Sequence, residues 1–355
     1  MDEKILSPGT WINSCLVGLN SYEVASGTLS LLEEDPVDKN VASIIRSGTE
    51  HKYQTVKSNA SNTPYWMFPV SLGAYRNRFL QIVENLHISE LGKTNFFWPV
   101  DVVSNSEGYQ GLLYYPVIDA RYKPVRSYLA NPSIPKLDLA ISLFQRMAEL
   151  EDMGLALNGF HREQVRVDSI QNTISIWPLE TIMPRDEIVV PSQKGFLSLP
   201  DALLQNELNK NRMTADKLDL FSAAVLAFYL LYYTHPFVGK SFWGDGPEYY
   251  SSKYHSYPVY VFDSTKSDVN DVGNTDFAQI MLEEWENTVP ELQQQFSYLF
   301  MELCYPGTYP TSDIWDINCW LDLLKRQKGQ RPVFRADYDE KSIANLLYII
   351  KHYRV

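Results

Sequence analysis

The apolar positions of this chain change period along its length. Toward the N-terminus they alternate or run β-branched, which predicts strands over Tyr22 to Glu33 and Val41 to Arg46, with a turn at Glu34 to Asn40 between them. Arg46 to Pro64 is polar and reads as a loop, and Leu80, Ile82, Val83 and Leu86 mark a helix within Arg76 to Leu91. Phe96 to Val103 and Gly111 to Val117 read as two further strands around the turn Asn105-Ser106-Glu107-Gly108. From Leu137 the period becomes helical. Leu139, Leu143, Met147 and Leu150 form one buried face of a helix that ends near Gly154, a C-cap glycine. Val165-Arg166-Val167 and Ile174-Ser175-Ile176-Trp177 make a strand, turn and strand. A strongly apolar helix starts near Asp219, and helices recur over Asp276 to Trp285, Leu292 to Leu303 and Ile314 to Leu324. Strands first and helices later predict an α+β architecture of two lobes, a small mainly β one and a larger mainly α one.

Composition narrows the function classes. At 355 residues, with 45% hydrophobic and 21% charged positions, the chain can fill a core in each lobe. A formal net charge of −12 repels phosphates, so neither nucleic acid nor an anionic membrane is an expected partner. The basic cluster Lys325, Arg326, Lys328, Arg331 and Arg335 reads as a solvated helix end. Met1-Asp2-Glu3-Lys4 opens acidic, with no leader pattern behind it. The longest near-apolar run, Leu220 to Tyr233, has 14 residues, short of the about 20 that a membrane helix needs. Cys15, Cys304 and Cys319 are odd in number and far apart, which suits a reducing compartment. The expected location is the cytoplasm.

Five stretches, in order, resemble the protein-kinase fold and, more narrowly, a bacterial kinase-like family often encoded beside serine/threonine phosphatases and von Willebrand A-type proteins. They are Phe97 to Val103 with Gly111 to Pro116, then Leu199-Pro200-Asp201, then the Asp219 helix with His235-Pro236-Phe237-Val238-Gly239, then Tyr257 to Asp263 with Asn270, and Tyr309-Pro310-Thr311 with Trp315. The resemblance implies a kinase-like N-lobe over 1–117, a kinase-like C-lobe over 118–328 and a C-terminal extension with a helix over 329–355. It also implies a protein partner, a phosphatase or a von Willebrand A-type protein. In the family Asp219 braces the backbone of the catalytic loop.

The chemistry departs from that pattern. A kinase holds the nucleotide phosphates with a lysine, and uses a catalytic-loop aspartate, an asparagine five residues later and a metal-binding aspartate. The corresponding positions here are Ser43, Gly159, Gln164 and Trp177. A hydroxyl cannot replace the lysine's charge, and an indole cannot ligate Mg²⁺, which takes oxygen ligands. The only glycine between Leu19 and Leu32 is Gly27, so the phosphate-covering loop is degraded as well. The expectation is a pseudokinase: a catalytically inactive regulatory or scaffolding module that binds protein, with no cofactor and no metal.

A second register stays open. His161-Arg162-Glu163 followed by Asp168 would make Glu163 the base, with Asp168 and Glu180 as metal ligands, in an atypical ATP-dependent phosphotransferase or nucleotidyl transferase. The alternation of Val165 and Val167 favours the first register. Asp263, Asp268, Asn270 and Asp271 are oxygen-rich, but Val272 occupies a position where a calcium loop needs a ligand. The aromatic residues of the Gly239 to Asn274 stretch, Tyr260 among them, read either as core or as contact residues for a partner.

Overall fold

The computed structural model describes residues 6–15, 21–25, 29–30, 52–59, 64–69, 80–82, 96, 98–114, 122–125, 128, 135–160, 164–176, 182–187, 197, 199–200, 213–237, 258–263, 276–304 and 313–330. The chain divides into two compact units, Met1–Ala120 with Ile176–Met183, and Arg121–Ser175 with Pro184–Val355.

The first unit is built from strands: β1 (Trp11–Ser14), β2 (Ser21–Val24), β3 (Leu29–Ser30), β4 (Lys52–Ser58), β5 (Pro64–Pro69), β6 (Asp101–Ser104) and β7 (Gln110–Tyr114). Their antiparallel pairings form a ring. Ile12 of β1 faces Tyr22 of β2, and Asn13 faces Ser104 of β6. Val103 of β6 faces Gly111 of β7, and Leu113 of β7 faces Met67 of β5. Met67 in turn faces Gln54 of β4, and Val56 of β4 returns to Val24 of β2. Six strands therefore close into an antiparallel barrel, with β3 continuing along β4 through Leu29 opposite Tyr53.

This closure overturns the protein-kinase-like fold expected from the sequence. A kinase's small lobe carries an open sheet with two edges, whereas the β2–β4 pairing leaves this ring with none. The architecture is a closed six-stranded barrel in the N-terminal region and helices in the C-terminal region. The reading of Arg46 to Pro64 as a loop is corrected too, because it contains β4. The reason is physical: β4 turns Gln54, Val56 and Ser58 inward, so two of its three buried positions are polar and the usual hydrophobic alternation is missing.

The interior of the barrel follows the two-residue period of a strand. Ile12, Tyr22, Val24, Val56, Met67, Val103 and Leu113 pack into one cluster with Leu6 and Tyr109. Gly111 sits at a tight point, where a Cβ would lie 3.0 Å from Cγ of Met67. Polar ties lock the wall. Gln54 donates its side-chain amide to the Leu6 carbonyl (2.8 Å), and the Leu6 amide donates to Gln54 Oε1 (3.1 Å). The buried Asp101 carboxylate accepts from Tyr22 Oη (2.7 Å), Ser14 Oγ (2.8 Å) and the Val102 amide (2.7 Å), so its burial costs little in unmet hydrogen bonding. The predicted strand Val41 to Arg46 lies outside the described residues. Of the predicted helix within Arg76 to Leu91, Leu80 to Ile82 are described and are helical.

The second unit is mainly helical: α1 (Lys136–Asp152), α2 (Ala215–Tyr232), α3 (Asp276–Glu286), α4 (Pro290–Cys304) and α5 (Ile317–Gln330). α1 follows the predicted Leu139 to Leu150 stripe and is followed by Gly154 at φ +70°, a left-handed position that a side chain would strain. α2 is apolar on all sides, and Leu220 to Tyr232 are buried without exception, as expected of a helix running through a core. Among the described residues no helix is long and apolar enough to cross a membrane.

The helices meet on aromatic rings. Phe228 of α2 packs edge-on to Tyr232, Phe296, Phe300 and Tyr260, at centroid distances of 4.6–6.3 Å. Trp320 of α5 stacks on Phe144 of α1 (5.4 Å) and meets Phe296 of α4 edge-on (4.9 Å), and its Nε1 donates to the Ile314 carbonyl (2.9 Å). Tyr260 is fully buried here, so the one aromatic side chain described in the Gly239 to Asn274 stretch besides Phe262 belongs to the core. A small sheet completes the unit, with β8 (Tyr122–Pro124), β10 (Val165–Asp168) and β11 (Thr173–Ile176) in the order β11-β10-β8.

Candidate functional site

Asp219 lies in the first turns of α2, four per cent exposed, and faces the segment that follows α1 and β9 (Leu155–Ala156). Its Oδ2 accepts the Leu157 amide at 2.5 Å and its Oδ1 accepts the Gly159 amide at 2.7 Å. One side chain thus satisfies two backbone donors, the buried Leu157 amide and the part-buried Gly159 amide. Asn158, between them, is held at φ +62°, and its buried Oδ1 has no hydrogen-bond partner in the structure. Burial dominates the Asp219 carboxyl and pushes it up to about 7. The Leu157 and Gly159 amides pull it down, and Asp216 raises it further.

A second carboxylate of α2 lies one turn earlier. Asp216 accepts the Lys217 amide (2.8 Å) and hydrogen-bonds Thr214 Oγ1. Glu151, at the end of α1, pairs with Arg185 at 2.9 Å. Burial raises the Glu151 carboxyl and Arg185 lowers it, while Asp216, Asp316 and Asp152 each raise it. These side chains border a cavity of about 20 Å³, whose lining includes Glu151, Asp216, Asp219, Met147, Trp315 and Ile317. That is room for about one water molecule.

Among the described residues, the positions that sequence reasoning assigned to chemistry, Gly159, Gln164 and Asp168, are not in the lining of this cavity. Gly159 is present as an amide donor to Asp219. Gln164, immediately before β10, is buried. Asp168 ends β10, and its Oδ1 accepts the amides of Ile170 (2.9 Å) and Gln171 (3.2 Å), while its carbonyl accepts the Asn172 amide (2.8 Å). Asp168 is therefore the residue that turns the β10–β11 hairpin. Its charge also raises Tyr128, after the larger effect of burial and against a hydrogen bond to Ser169. Ser43, His161, Glu163, Trp177 and Glu180 lie outside the described residues, as do Asp268, Asn270 and Asp271. Asp263 is buried, and its amide donates to the Tyr260 carbonyl (3.1 Å). Among the described residues, no group of three or more His, Cys, Asp or Glu side chains is placed to hold a metal ion.

Sequence reasoning gave Asp219 only the structural role that the resemblance implies, and none of its surroundings. The Asp216–Asp219 spacing puts both carboxylates on one face of a helix. Nothing local signals that Glu151, Arg185 and Trp315 converge there from three other segments. No family model matches the chain, and no curated protein matches it.

Proposed function

We propose that this chain works by binding protein, as a regulatory or scaffolding module, and that it transfers no phosphoryl or nucleotidyl group. The observation that carries the reading is how the described carboxylates are used. Asp219 is spent on the Leu157 and Gly159 amides, and Asp168 turns its own hairpin. Phosphoryl transfer needs carboxylate oxygens turned to Mg²⁺ and to the attacking group. The cavity beside Asp219, at about 20 Å³, is far below the roughly 300–1,000 Å³ of small-molecule pockets.

Two large apolar side chains remain in water among the described residues. Trp11 on β1 is 54% exposed and Ile170, at the tip of the β10–β11 hairpin, is 74% exposed. Trp11 stands opposite Glu23, which faces Lys57 on the next strand, so an indole continues into a row of opposite charges. Tryptophan is enriched among the residues that anchor protein contacts.

The rival reading, an atypical transferase using Glu163 and Asp168, is tested by incubating the protein with γ-labelled and α-labelled ATP and Mg²⁺ or Mn²⁺. No incorporation into the protein or a general acceptor is expected. Incorporation that disappears in Asp168→Ala would establish the transferase and remove this proposal.

A further inference from the structure

We draw no further inference here: the strongest candidate, the cavity of about 20 Å³ between α1, α2 and α5 lined by Glu151, Asp216 and Asp219, belongs to the site already described, and the buried Asn158 Oδ1, unpartnered among the described residues, does not line it.

Discussion

Replacing Asp219 by alanine is expected to destabilise the second unit by about 2–6 kcal/mol, because the buried Leu157 amide and the part-buried Gly159 amide each lose their acceptor at about 1–3 kcal/mol apiece. The two bonds are short, 2.5 Å to Leu157 and 2.7 Å to Gly159, and the carboxyl is enclosed, so water cannot easily substitute. Asp219→Asn keeps one acceptor oxygen and should lose roughly half as much. The measurement is urea unfolding of the wild type and both variants at the same pH. A loss below about 1 kcal/mol for alanine would mean that the amides find other acceptors.

Trp320→Ala should be comparably severe, at about 4 kcal/mol, since truncating a buried tryptophan removes its transfer energy and leaves a cavity. Trp320 is fully buried between Phe144 and Phe296, and its Nε1 satisfies the Ile314 carbonyl ahead of α5. Loss of the indole therefore loosens the contacts of α5 with both α1 and α4. Trp320→Phe retains most of the packing and should cost markedly less, with only the hydrogen bond missing. The midpoint of urea unfolding should fall in both variants at unchanged slope.

The helical half was legible because its determinants are local. A 3.6-residue stripe defines α1, uniform apolarity defines α2 as a helix with no solvent face, and alternation at Val165 and Val167 gives β10. The Asp219 carboxyl accepts the Leu157 and Gly159 amides. The barrel was not legible. Its closure rests on the β2–β4 pairing between segments more than thirty residues apart in sequence, Val24 with Val56. β4 hides polar Gln54 and Ser58 inside the wall, where hydrogen bonds such as Gln54 with Leu6 satisfy them. Motifs in the right order could not report that the sheet has no edge, and this is where the resemblance misled. Asp168 shows a related limit: its sequence context fits a metal ligand or a turn, and its Oδ1 accepts the Ile170 and Gln171 amides within the turn.

The claim that this chain binds rather than transfers is tested most directly by its thermal unfolding with ATP or ADP at millimolar concentration, with and without Mg²⁺ or Mn²⁺. A ligand that binds the folded state raises the melting temperature by mass action. The account predicts no shift under any of these conditions. A shift that requires both nucleotide and metal would contradict it, because the carboxylates of a working phosphate site would then have to exist in the folded chain.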